Sequence, residues 1–363
     1  MVVYLQHLPL EYHSYTMSEP DLLIASIAKL KDGGTLSSLE MEGVFRTIMS
    51  GNAPDGFIGA FLGILATRVP THEELLGAAV VMRECVTKVH FPNANALLDT
   101  CGTGGAPKTF NVSTAASVVV AASGVRVAKH GNKSRTGRGS AEVLEALGIQ
   151  INIDHELQTK CLEEVGICFC FAPNHHKSVA HVMPVRRALK FPTIFNLLGP
   201  LTNPCSAGRQ LLGVWEQRYV EPMAHALHSL GTVKSAVVHS EDGLDEISIA
   251  SPSHLSIVHG GTIQKKIISP EEFGLHTHQL SEVTATSLDA ATEMFIQSMT
   301  PTHISASKDM LLMSAGTSLY LADQTETIKE GVEVAKETIE RGLAMRTLQD
   351  WIEITNTHTP STG

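Results

Sequence analysis

The sequence predicts an α/β protein with a small all-helical N-terminal domain and a larger domain whose mostly parallel central sheet is flanked by helices. Length is the first observation, because 363 residues exceed what a single hydrophobic core usually holds. The second is a series of helical apolar patterns before residue 92, with no strand pattern between them. The third is that short apolar runs alternate with helical patterns from residue 93 onward, which is typical of a parallel sheet.

The N-terminal quarter of the chain divides into two parts. Residues 1–17 show no clear period, so we expect a loose extension there, followed by the helical domain at 18–92. Leucine and isoleucine spacing and the following glycines predict helices at 21–30, 39–49 and 58–67. Thr71 and Glu74 form a capping-box pattern that predicts the start of a fourth helix.

Residues 93–177 and 201–363 carry the pattern of the larger α/β domain. One strand should end at 97–98, further strand-like runs lie at 125–128, 149–153, 168–171, 211–214 and 236–238, and a hairpin at 255–268 turns at 260–261. Helical patterns lie at 115–123, 140–147, 287–299, 308–321 and 327–342, and another at 181–190 interrupts the alternation. Since such strands are parallel, ligands should bind where the strands end.

Composition describes an ordinary globular protein, with 43% hydrophobic and 18% charged residues. No apolar run reaches the length of a membrane span, and the N-terminus has no basic region typical of a signal peptide, so we expect a cytoplasmic protein with no membrane partner. The six cysteines show no C-x-x-C spacing, which favours reduced thiols. Cys168 and Cys170 would share one face of a strand, where core packing is favoured over metal binding.

The net charge of −10 argues against general nucleic-acid binding, because an acidic surface repels the phosphate backbone. An anionic small substrate would need a local positive site on such a protein. Basic residues do form two islands, at Lys129, His130, Lys133, Arg135 and Arg138, and at Arg186 and Arg187. From charge alone, a solvated loop or helix face is the favoured interpretation of a lone island.

A glycine-rich stretch between Asp99 and Asn132 is the strongest candidate for a ligand site. Gly102, Gly104 and Gly105 follow a predicted strand, and their spacing matches neither a dinucleotide-binding nor a Walker A loop. Ser113 and Thr114 then open a helical run, and a helix N-terminus beside exposed backbone N–H groups favours phosphate. A tight turn with an ordinary helix cap remains an equal alternative.

Two further groups have chemistry suited to a phosphorylated substrate. Asp245 and Glu246 are adjacent carboxylates after a predicted strand, and Mg²⁺ takes such oxygens together with substrate phosphates. Arg186 carries the planar guanidinium that suits bidentate carboxylate binding. Without further information, an acidic turn is a common alternative for the first group, and a surface helix charge is the preferred interpretation of Arg186.

Several motifs in one order resemble the anthranilate phosphoribosyltransferase family. They are Gly-Thr-Gly-Gly at 102–105, Asn-Val-Ser-Thr at 111–114, Lys-His-Gly-Asn at 129–132, Phe-Asn-Leu-Leu-Gly-Pro-Leu-Thr-Asn-Pro at 195–204 and Asp-Gly-Leu-Asp-Glu at 242–246. The resemblance implies a homodimeric class III phosphoribosyltransferase that joins anthranilate to phosphoribosyl pyrophosphate (PRPP) with Mg²⁺, two ions being expected. It also implies that about 178–200 return to the helical domain.

The resemblance implies a role for individual residues, without a covalent nucleophile. The residues implied to bind PRPP are Gly102, Thr103, Gly104, Gly105, Asn111, Ser113, Thr114 and Lys129. Those implied to bind the acceptor are His130, Asn132 and Arg186, and those implied to bind metal are Ser113, Asp245 and Glu246. In this chemistry, positive charge develops on the sugar while magnesium and backbone donors stabilise the leaving pyrophosphate.

The chain departs from the family pattern at a few positions near the expected ligands. Ala106 stands where the family usually has Asp, and the loop 133–139 is one residue shorter than usual. We hypothesise that Arg138, with Arg135 as a second candidate, closes this loop over PRPP; a solvent-facing arginine is the alternative. Other functions left open are another aromatic acceptor, a nucleoside phosphorylase of the same fold, and a non-catalytic nucleic-acid-binding relative.

Overall fold

The computed structural model describes residues 19–107, 109–134 and 136–357. The expected extension at 1–17 and the side chain of Arg135 lie outside the described residues. The helices are α1 (Glu19–Lys31), α2 (Ser38–Met49), α3 (Asp55–Ala66), α4 (His72–Cys85), α5 (Val112–Ala122), α6 (Ser140–Ala146), α7 (His155–Lys160), α8 (Ala172–His175), α9 (Met183–Leu189), α10 (Ile194–Leu198), α11 (Val220–Ser229), α12 (Leu288–Met299), α13 (Ala306–Leu321), α14 (Ile328–Glu340) and α15 (Leu343–Asn356). The strands are β1 (Leu98–Gly102), β2 (Val127–Gly131), β3 (Ile167–Phe171), β4 (Arg209–Gly213), β5 (Lys234–Ser240), β6 (Ser253–His259) and β7 (Thr262–Ile268).

The N-terminal helical bundle, α1 to α4, confirms the four helices predicted from periodicity. Local sequence determines where two of them begin. Ser37 and Glu40 form a capping box at the start of α2, and Thr71 and Glu74 form one at the start of α4. Apolar side chains of this bundle form one buried cluster with 182–201 and with the face of the sheet that α11 covers.

The central sheet has seven strands in the order β3-β2-β1-β4-β5-β6-β7. The pairings from β3 through β5 are parallel, whereas β6 and β7 add an antiparallel hairpin at one edge. Gly102 pairs in register with Gly213, so β1 and β4 end together. The expected mostly parallel sheet is confirmed, and it gathers the loops after β1, β2, β4 and β5 on one side.

Two strand predictions are wrong. The run 149–153 forms no strand, because the Gln150 N–H donates 3.3 Å to Thr355 Oγ1 of α15 instead of to a neighbouring strand. Leu98 begins β1 rather than ending a strand, and Asp99 and Thr100 continue β1 although they are polar. Both polar side chains are buried, so the apolar pattern stopped short of the real strand.

The C-terminal segment closes the larger domain over α5. Helix α15 was not predicted, and it packs against α5 with Trp351 fully buried. The predicted hairpin and the helices near α12, α13 and α14 are confirmed. In the described part of the chain, every helix is too short or too polar to cross a lipid bilayer. The expected limits of the two domains stay a prediction.

Candidate active site

The glycine-rich turn follows β1 and is fixed to the end of β4. The Thr103 N–H donates 2.9 Å to the Gly213 carbonyl, and the Thr103 hydroxyl donates to the same oxygen. Gly104 and Gly105 have φ angles of +65° and +105°, which side-chain-bearing residues rarely adopt. The turn therefore keeps a bare backbone at the edge of the sheet where the parallel strands end.

Helix α5 starts beside this turn and carries orphaned polar atoms. Its N-cap residue, Asn111, has a left-handed backbone with φ +65°, and its amide donates 3.3 Å to the Arg138 carbonyl. Within the described residues, Asn111 Oδ1 and Thr114 Oγ1 are buried without a hydrogen-bond partner. Because such atoms are costly in a native fold, they favour a polar ligand at the start of α5.

Lys129 links the end of β1 to the first turn of α5. Its Nζ donates 2.5 Å to the Thr100 carbonyl and 3.4 Å to Ser113 Oγ. The side chain is buried, and this burial lowers the pKa of Lys129 while the nearby Asp99 opposes the shift. A desolvated ammonium at a helix N-terminus is a strong attractor for an anion.

The acidic pair lies directly over the glycine-rich turn. The Gly104 N–H donates 3.1 Å to Asp245 Oδ2, and Thr109 donates 2.6 Å to Glu246 Oε2. The chain approaches so closely here that a Cβ on Gly102 would lie 2.8 Å from Asp245 Oδ2. The structure therefore brings both carboxylates to the turn.

A pair of histidines lies near the end of β2, where His130 follows Lys129. His130 Nδ1 faces the Gly199 carbonyl at 3.1 Å, and His130 Nε2 lies 3.1 Å from His176 Nε2. Burial lowers the pKa of His130 well below its usual value and that of His176 to about 4, so both rings are neutral at pH 7. The network assigns the His130 proton to Nδ1, which leaves Nε2 to accept from His176.

Three further candidate residues contact other parts of the chain. The Arg186 guanidinium, in the last turn of α9, stacks over Phe195 at 5.0 Å from the ring centroid. Asn132 is exposed, and its side chain accepts from the Lys133 N–H at 2.7 Å. Arg138 donates to the Ala285 carbonyl, and its own carbonyl accepts from Asn111 at the start of α5. Its role in closing over a ligand stays a prediction.

Sequence reasoning missed two residues that the structure places at the site. His176 pairs with His130 although it is 46 residues away, and Thr109 bonds Glu246 across 137 residues. The two consecutive histidines at 175–176 were a usable signal. Thr109 carried none, because a lone threonine before a helix is common in any sequence.

Two family models match this chain. The model described as glycosyl transferase family, helical bundle domain, matches 25–86, and the model described as glycosyl transferase family, a/b domain, matches 94–345. Together they cover most of the chain and divide it near the expected domain limit.

Relatives that align with most of the chain are anthranilate phosphoribosyltransferases. An anthranilate phosphoribosyltransferase from Azotobacter vinelandii is 41% identical over 336 residues, which is 91% of this chain and 96% of the relative. One from Thioalkalivibrio sulfidiphilus is 43% identical over 88% of this chain and 95% of the relative.

Solved structures give the same result. The anthranilate phosphoribosyltransferase from Thermus thermophilus matches with a TM-score of 0.85 and 34% identity, covering 91% of this chain and 99% of that one. The Saccharomyces cerevisiae enzyme in complex with PRPP and Mg matches with a TM-score of 0.83 and 25% identity, covering 93% and 98%. With both family models, this level of identity and this fold, the chain belongs to the anthranilate phosphoribosyltransferase family.

Proposed function

We propose that this chain transfers the 5-phosphoribosyl group of PRPP to the amine of anthranilate, forming N-(5-phosphoribosyl)anthranilate and releasing pyrophosphate in tryptophan biosynthesis. The observation that carries the proposal is the meeting of a bare glycine turn, a helix start, a buried lysine and two carboxylates at one sheet edge. These are an anion-binding half and a cation-binding half within one site. The names of the relatives supply the acceptor.

The donors that would hold PRPP come from three elements. Backbone N–H groups of 102–105 would face the pyrophosphate, and Asn111, Ser113 and Thr114 would bind phosphate at the start of α5. Lys129 would add a positive charge, and its burial would strengthen the electrostatic attraction between this charge and the phosphate. Arg138 donates one N–H to the Ala285 carbonyl, and its other guanidinium N–H groups would be available to a phosphate.

The residues present fit magnesium. Asp245 and Glu246 offer hard oxygen ligands beside the glycine turn, and substrate oxygens would complete the coordination. Ser113 would contribute a hydroxyl, and two ions are proposed. Bound Mg²⁺ supplies charge neutralisation for the leaving pyrophosphate. A solved relative from Saccharomyces cerevisiae contains PRPP and Mg, which supports the assignment.

Anthranilate would bind between the sheet edge and α9. The Arg186 guanidinium would hold its carboxylate, while Asn132 and the neutral His130 would position the ring so that the amine faces ribose C1. The amine of anthranilate is neutral at pH 7, so the reaction needs orientation more than a strong base. A solved relative carries 4-fluoroanthranilate, an analogue of this acceptor.

Assembly and location are also part of the proposal. We infer a cytoplasmic homodimer with PRPP and anthranilate as its small-molecule partners, and with no nucleic-acid or membrane partner. The acidic net charge of −10 supports the exclusion of nucleic acid. Light scattering coupled to gel filtration tests the dimer, since a monomer at working concentration would contradict it.

The deciding experiment is incubation with PRPP, Mg²⁺ and anthranilate while the fluorescence of anthranilate is followed. Loss of fluorescence that requires all three components supports the proposal. If substituted anthranilates react and anthranilate does not, the enzyme uses another aromatic acceptor. Phosphate-dependent nucleoside cleavage without Mg²⁺ would instead identify a nucleoside phosphorylase. A salt-sensitive DNA gel shift without turnover would identify a nucleic-acid-binding relative.

A further inference from the structure

Three cysteine thiols meet in the core, away from the acidic pair. Cys168 and Cys170 are two residues apart on β3, so their side chains share one face of the strand. Cys170 Sγ lies 3.9 Å from Cys168 Sγ and 3.6 Å from Cys205 Sγ. All three sulfur atoms lie within 4.8 Å of one another, and all three side chains are buried. We call these residues the thiol cluster.

The spacing of the thiol cluster suits a metal ion better than a disulfide. A disulfide needs sulfur atoms about 2 Å apart. Thiolates at the usual Zn–S distance of about 2.3 Å in tetrahedral directions lie about 3.8 Å apart. The two distances from Cys170, 3.6 and 3.9 Å, fall on either side of that value. Little side-chain movement would therefore be needed to hold a cation between the sulfur atoms.

Protonation within the cluster is already uneven. Hydrogen bonds from Cys168 and Cys170 lower the pKa of the Cys205 thiol to about 4, against the opposing effect of its burial. Hydrogen bonding to Cys170 and Cys205, together with burial, raises the pKa of Cys168. Metal binding would release the thiol protons of the cluster to solvent.

Ligand type selects the kind of cation. Thiolates favour soft or borderline ions such as zinc and exclude Mg²⁺, which takes oxygen ligands. A divalent ion bound by three thiolates leaves a net charge of only −1 in the apolar core.

We propose that Cys168, Cys170 and Cys205 form a binding site for one thiophilic divalent cation of the zinc class, with Cd²⁺ as its spectroscopic probe. Its place in the fold indicates what it would do. Cys170 pairs in register with His130, and the Cys205 N–H donates 2.9 Å to Asn203 Oδ1. Asn203 in turn donates 2.8 Å to the Ala128 carbonyl of β2. A bound cation would fasten the segment 203–205 to β3, whose neighbour β2 carries Lys129 and His130.

The experiment uses a Cys85→Ser background, because Cys85 is an exposed thiol that would bind the probe by itself. Zinc content is measured by mass spectrometry after expression with added zinc, which loads the site during folding. Native metal-free protein is also titrated with Cd²⁺ while sulfur-to-cadmium charge-transfer absorption and proton release are recorded. We expect one ion per chain, saturation at one equivalent, release of protons on binding, and a higher Tm.

Cys205→Ser should weaken Cd²⁺ binding at least about tenfold. The matched control is Cys161→Ser, which removes a buried thiol outside the cluster and should bind like the background protein. Equal binding by Cys205→Ser and Cys161→Ser would overturn the proposal. If Cys205→Ser does not fold, the background protein alone decides, since the absence of a stoichiometric ion both after zinc-supplemented expression and in the titration overturns it.

Discussion

The Nε2 atoms of His130 and His176 lie 3.1 Å apart, and burial keeps both imidazole rings neutral at pH 7. If both rings became charged, they would repel each other across this contact, inside a site with little water to screen them. The histidine pair therefore makes the stability of this part of the fold depend on pH.

Stability should fall as the pH is lowered from about 6.5 to about 4. The pKa of His176 is depressed in the folded state, so the unfolded chain binds more protons in this interval and acid favours unfolding. The His176 contribution is present above pH 6.5 and its loss amounts to roughly 3 kcal/mol at most. Urea unfolding of wild type and His176→Asn across this range tests it. The variant should show a shallower slope, whereas exposed His228→Asn should match wild type.

The double substitution Asp245→Ala with Glu246→Ala should reduce turnover at least about a hundredfold while the protein stays folded, because the leaving pyrophosphate loses its metal. Rates come from the fluorescence assay and folding from thermal melts. Glu241→Ala is the control, since it removes an exposed carboxylate from the same loop region. Full activity of the double variant, or activity in excess EDTA, would exclude the proposed magnesium role.

Arg186→Ala should raise the KM for anthranilate about ten- to a hundredfold and leave the KM for PRPP nearly unchanged. The expected loss is that of a charged hydrogen bond, roughly 1.5–3 kcal/mol. The neighbouring Arg187 is exposed, so Arg187→Ala is a charge-matched control with no expected effect. If the KM values of Arg186→Ala match those of wild type for each substrate, Arg186 is a structural residue stacked on Phe195.

Arg138→Ala should weaken PRPP binding and lower its dependence on salt, because the loop would lose a guanidinium that pairs with phosphate. Calorimetric titration of PRPP with Mg²⁺ measures both effects. Lys133→Ala, which removes a cation of the same loop that pairs with Glu145 at 2.9 Å, is the control. An Arg138→Ala protein that binds PRPP as tightly as wild type would leave the arginine on the Ala285 carbonyl as its only role.

Local sequence was sufficient where local chemistry determines the structure. The capping box of Thr71 and Glu74 fixes the start of α4 within four residues of chain, and the glycine pair at 260–261 fixes the hairpin. The glycine-rich turn and the loop after Lys129 could be placed together because parallel strands end on one side of a sheet, whereas the acidic pair was assigned to the site from a family motif.

Distant partners explain what the sequence could not predict. Asp99 is buried in β1 because it accepts the His130 N–H at 3.0 Å, 31 residues away. Gln150 lies outside the sheet because its backbone N–H bonds Thr355, 205 residues away. No periodicity reveals such pairs, and the same holds for Cys205, which joins Cys170 from 35 residues along the chain.

Strand β1 lies at the centre of the sheet, yet its neighbour β4 is more than a hundred residues further along, since Leu98 pairs with Arg209. On a ribosome that adds about 5–20 residues per second, β1 waits roughly 5–20 s for that neighbour to emerge. During this interval its apolar residues and the strand edge that later pairs with β4 are exposed to other chains or to chaperones. Because slower synthesis would lengthen this interval, chaperones that shield exposed strands during synthesis should raise the yield of folded protein.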